Sequence, residues 1–105
     1  MKIWVDDVRP APEGYIWCKS VNEAKQVILD NEYTNKINYF KYPISLIDLD
    51  YDSGDYEKDG GPYIKLMDWL VERGTLYPLA FHSQNCVGME YMKRMYRRYW
   101  LEESL

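Results

Sequence analysis

Three short apolar runs, each ending on polar side chains, constrain this chain more than any other feature. Met1 to Val5 stops at Asp6 and Asp7, Ile44 to Leu49 ends among Asp48, Asp50 and Asp52, and Tyr77 to Phe81 leads into His82, Ser83, Gln84 and Asn85. The nearly unbroken apolar character of Ile44 to Leu49 suits a strand covered on both faces, the habit of parallel sheets. Parallel strands need crossovers, and the segments between the runs can supply them. Ser20 to Glu23 fits a capping box that opens a helix with Ala24, Val27 and Ile28 on one face, expected to fray near Asn31. Pro62 stands where a first helical residue belongs, ahead of Ile64, Met67, Leu70 and Val71, with Gly74 as the stop. Asn85 can cap a last helix whose apolar side holds Met89, Met92, Met95 or Tyr96, Tyr99 and Trp100.

One junction does not fit this scheme. Tyr15 to Cys18 is a further β-prone run, separated from the first by about eight residues rich in proline and glycine, fewer than a helical crossover needs. It therefore follows an extended crossover or forms an irregular edge. Residues 32–43 lack a clean period and are expected to connect elements, and 53–61 read as a surface loop. The order β, β, α, β, α, β, α predicts an α/β sandwich with a short, mostly parallel sheet of about four strands and about three helices.

The 105 residues suffice for one domain, 1–105, and are too few for two; eleven tyrosines and four tryptophans supply buried area that a short chain needs. A net charge of −4 gives the whole no general affinity for nucleic acid or acidic membranes. With no charged leader and no apolar run approaching ~18 residues, the chain reads as cytoplasmic and without a membrane partner. Cys18 and Cys86 match no metal-site spacing and are expected to be ordinary reduced thiols.

In open parallel sheets, functional groups gather outside the carboxyl ends of the strands. There the chain places Asp6 and Asp7, then Asp48 and Asp50, then His82, Ser83 and Asn85. Strands ~4.8 Å apart let acids from neighbouring ends reach one cation, and hard oxygen donors favour Mg²⁺ or a similar ion such as Mn²⁺. The plainer reading makes these acids solvated loop residues or caps. His82 is either a hydrogen-bonded structural residue or a proton carrier, and Ser83, Asn85 and the free N–H groups of the next helix favour the second. Arg9 can fork a phosphate or pair with Asp7. Glu90, Lys93, Arg94, Arg97 and Arg98 form the polar face of the last helix, a solvated face by default, with Glu90 and Arg94 spaced for an ion pair, or else an RNA-contacting one.

Asp6-Asp7 after the first strand, Asp48 within Leu-Ile-Asp-Leu-Asp, and a serine after a later strand resemble the receiver domain of response regulators. That likeness implies a truncated receiver-like (flavodoxin-like) fold, Asp6 and Asp7 as metal ligands, Asp48 as phosphoacceptor position and Ser83 as the hydroxyl. A closer resemblance is to the divergent cyclic-phosphate-processing receivers, through Asp6, Asp7, Arg9, Pro12 and Gly14, then Asp48 and Asp50, then His82, Ser83, Asn85 and Gly88. It implies a hydrolase acting on cyclic phosphates of RNA ends or nucleotides, hence a part in RNA processing. Asp6, Asp7, Asp48 and Asp50 would hold Mg²⁺, Asp48, His82 and Ser83 would serve catalysis, and Arg9, Ser83 and Asn85 would bind the anion. The rivals are a non-catalytic degenerate receiver that binds a nucleotide or protein, and an Asp48 phosphoacceptor switch.

Overall fold

A computed structural model describes residues 1–38 and 43–101. Four strands, β1 (Lys2–Val5), β2 (Tyr15–Cys18), β3 (Leu46–Leu49) and β4 (Leu79–Phe81), form one sheet in the order β2-β1-β3-β4, every pair parallel. Helices α1 (Val21–Asn38) and α2 (Ile64–Arg73) lie in the crossovers to β3 and β4, and α3 (Cys86–Tyr99) follows β4. This is the α/β sandwich expected from the element order, in the receiver-like form that the resemblance implies.

The unusual junction is an extended crossover. Strands of four residues are only ~13 Å long, a span that the nine residues of 6–14 cover without a helix. Hydrogen bonds hold the loop in shape. Asp6 Oδ1 accepts from the amides of Val8 (2.9 Å) and Arg9 (2.7 Å). Trp4 Nε1 donates to the Arg9 carbonyl (2.9 Å), and Trp17 Nε1 to the Asp6 carbonyl (2.8 Å).

Side chains alternate across the sheet, and the two faces differ. Ile3, Val5, Cys18, Ile47, Leu49 and Leu79 join one core with Val21, Ala24 and Ile28 of α1, Leu66, Met67 and Leu70 of α2, and Met92 of α3. Trp4, Trp17, Asp48 and Ala80, which share a register row, point the other way, where the 6–14 loop and aromatic rings take the place of helices.

Helix α1 runs to Asn38 rather than fraying near Asn31. Its buried stripe continues through Asn31, whose Oδ1 accepts from Asn35 Nδ2 (3.2 Å), so polar residues on the buried line hide the period that sequence reading follows. Residues 32–38 are thus helix, and 39–42 of the expected connector lie outside the described residues. The 53–61 loop contains a short 3₁₀ turn over Gly54–Lys58. Gly74 ends α2 at φ 72°, a left-handed stop, and Asn85 caps α3 by accepting from the Gly88 amide (3.0 Å). Among the described residues no helix is long and apolar enough to cross a membrane.

Candidate functional site

The carboxyl ends of β1, β3 and β4 bring most of the expected polar groups to one rim. Strand register decides which acid meets which. Val5 pairs with Leu49, so the next residues, Asp6 and Asp50, emerge level with each other, while Asp48 pairs with Trp4 one pleat lower on the sheet. Asp6, Asp7 and Asp50 accordingly offer carboxylate oxygens within 4.8 Å of one another, and Asp48 lies outside that group.

Asp48 meets His82 instead. His82 follows Ala80 by two residues and shares its face, and Ala80 pairs with Asp48. The ring bridges two acids: Nδ1 lies 2.7 Å from Asp48 Oδ1, and Nε2 lies 2.9 Å from Asp6 Oδ2. Carboxylates only accept, so the arrangement is satisfied when both ring nitrogens donate, as in the imidazolium form. Burial by itself would lower the His82 pKa; donation to Asp48 and Asp6, together with their charges, outweighs burial and raises it above the usual 6.5. Trp4 stacks flat on the ring, centroids 3.5 Å apart and planes 9° from parallel, and its π face favours the cation.

The acid nest is under electrostatic strain. The Asp7 carboxyl is held above its ordinary pKa by burial first and then, against a lowering backbone hydrogen bond, by the charges of Asp6, Asp50 and Asp52. Three hard oxygen donors that converge and repel are a set that a divalent cation fits. Two further contacts shape the nest. Gly54 stands at φ +53°, and a Cβ there would lie 2.3 Å from Asp7 Oδ2, so only glycine lets the loop close on that carboxylate. The buried Tyr63 hydroxyl donates to the Lys19 carbonyl (2.6 Å), and burial, then the charges of Asp7, Asp6 and Asp50, raise its pKa.

Ser83 and Asn85 lie at the end of β4, partly buried. Ser83 Oγ accepts from the Asn85 amide (3.1 Å), and Asn85 Oδ1 is engaged as the α3 cap. The Arg9 side chain is exposed and, among the described residues, makes no ion pair, so of its two readings the pairing with Asp7 is not the one seen. Gly88 lies in the first turn of α3 where a Cβ would meet the Tyr51 ring at 2.3 Å. Tyr51 in turn donates its amide to Asp50 Oδ1 (2.7 Å), so the glycine sets how closely the Asp50 segment approaches α3.

Sequence reasoning missed Trp4, Tyr51, Gly54 and Tyr63. Only Trp4 carried a usable signal: it sits two residues before Asp6, hence on the same face of its strand.

Residues 1–98 match the family described as the cyclic-phosphate processing receiver domain. The chain belongs to that family. No curated protein and no solved structure matches it. For this cyclic-phosphate processing receiver, the match covers every residue of the acid nest, the His82 bridge and the α3 cap.

Proposed function

We propose that this domain is a metal-assisted phosphoesterase that opens cyclic phosphates of RNA ends or nucleotides. The observation that carries the reading is the His82 ring, hydrogen-bonded at once to Asp48 and to Asp6 of the acid nest, which puts a proton carrier beside three convergent carboxylates. Asp6, Asp7 and Asp50 are assigned as ligands of Mg²⁺ or Mn²⁺, which when bound would offset charge on the phosphoryl oxygens. Asp48 is assigned to orient His82, in place of the ligand role expected for it.

The chemistry asked of the chain itself is proton transfer and anion binding. Water adds to phosphorus, one ring P–O bond breaks, and the departing ribose oxygen takes a proton from His82. The proton released by the water returns to the ring, so the protein is unchanged after a cycle. Arg9, in no ion pair among the described residues, and the Ser83 hydroxyl are assigned to the phosphate, while Asn85 supports the site by capping α3.

A second reading is a binding module without turnover. It is favoured by the saturation of His82, whose two ring nitrogens are both engaged by carboxylates, as a structural strut would be. A screen of 2′,3′-cyclic nucleotides and cyclic-phosphate RNA ends with Mg²⁺ or Mn²⁺ separates the two. Turnover that disappears in His82→Ala and Asp50→Asn supports the phosphoesterase. Tight binding by a folded, metal-loaded protein that releases no product supports the module.

A further inference from the structure

The outer side of α3 carries chemistry that the site does not use. Lys93, Arg94, Arg97 and Arg98 are four cations on two adjacent ridges, and among the described residues none of them is in an ion pair. Glu90, spaced to pair with Arg94, does not close that bridge. Exposed rings interleave with the cations: Tyr91 is 56% and Tyr99 41% exposed. The Arg98 guanidinium lies over the Tyr99 ring, 5.3 Å from its centroid.

Two concavities share this ridge. One is a groove of about 400 Å³ between α2 and α3, lined by Tyr91, Arg94, Met95, Arg98 and Tyr99 opposite Asp68 and Glu72. The other, lined by Cys86, Val87, Glu90, Tyr91 and Arg94, reaches the first turn of the helix. Their common residues, Tyr91 and Arg94, join them into one track of ~20 Å along α3 that begins at its first turn, three residues after Ser83 in the chain. Asp68, itself bridged to Lys65, and Glu72 line the groove opposite Arg94 and Arg98 without pairing with them among the described residues, so the groove suits an uncharged base while the cations stay available to phosphates.

We infer that α3 is a single-stranded RNA track: the phosphates lie along Lys93, Arg94, Arg97 and Arg98, and bases stack on Tyr91 and Tyr99. Interleaved rings and unpaired cations are what a sequence-tolerant single-strand surface requires. An acidic protein segment would use the cations and leave the rings idle. The inference rests on the phosphoesterase reading only for which RNA end sits at the rim, and it selects an RNA terminus over a free nucleotide as substrate.

The test compares a 2′,3′-cyclic mononucleotide with an RNA of about ten nucleotides bearing the same terminus, by competition binding with Mn²⁺ at several salt concentrations. The RNA is expected to bind at least about tenfold tighter than the mononucleotide. Combining R94A with R98A should erase that gain and make the log affinity less salt-dependent by about 1.4, or about 0.7 per lost phosphate contact. Tyr91→Ala, melting like the wild type, should lower RNA affinity about fivefold or more with the mononucleotide unmoved. Equal affinity for both ligands, a gain that survives R94A with R98A, or equally effective displacement by polyglutamate would overturn the track. An RNA ending in a 3′-hydroxyl that binds as tightly as the cyclic one supports the track and counts against the phosphoesterase site instead.

Discussion

On the helix-clad face of the sheet, Ile3, Val5, Ile47 and Leu49 are wholly out of solvent and belong to one apolar core. On the opposite face, Trp4, Asp48 and His82 are also largely buried, yet their neighbours are a stacked ring, two carboxylates and a loop held by hydrogen bonds. The first face resists change through close packing, which is costly to disturb anywhere. The second depends on a few directed contacts, so single substitutions there should alter chemistry far more than stability.

That contrast can be broken in order of effect. His82→Ala should lower turnover of a cyclic phosphate by about 10²–10⁴-fold while the urea midpoint falls less than in Ile47→Ala; a large stability loss with turnover retained would reverse the roles of the faces. Ile47→Ala on the packed face should do the opposite, costing about 2–5 kcal/mol in urea denaturation. Gly88→Ala tests the seam between the faces. Its Cβ would enter the Tyr51 ring, so about 1–3 kcal/mol should be lost together with metal affinity, because the Asp50 segment must shift.

Titration gives a smaller effect with a definite sign. The folded-state pKa of His82 is raised, so its contribution to stability is complete below about 6.5 and is lost as pH rises through the higher folded value. Urea midpoints should therefore decline across that window, and Asp48→Asn should flatten the decline. Asp7 has the same sign at lower pH: its raised pKa means that ionisation opposes folding. Without metal, Asp7→Asn should raise stability at neutral pH, read as a small rise in Tm.

How much of this was legible in the residues depends on what fixes each feature. The strands at Lys2–Val5 and Tyr15–Cys18, the Gly74 stop and the Asn85 cap are local, set by backbone chemistry and a few neighbours, and they could be read directly. The gathering of acids and imidazole at one rim followed from a general property of parallel sheets. What could not be read was register. The chain alone does not say that Asp50 stands level with Asp6 and that Asp48 stands level with Trp4, and that single step separates an acid of the nest from the partner of His82. The length of α1 was obscured for a different reason, since Asn31 and Asn35 satisfy one another on a line that periodicity expects to be apolar.

The division of labour between the two acids of β3 and its end is tested most directly by Mn²⁺-induced thermal stabilisation in Asp48→Asn and Asp50→Asn, measured beside the wild type. The expected result is a rise in Tm that survives in Asp48→Asn and disappears in Asp50→Asn. Loss of the rise in Asp48→Asn with its retention in Asp50→Asn, or no rise in the folded wild type, would contradict it.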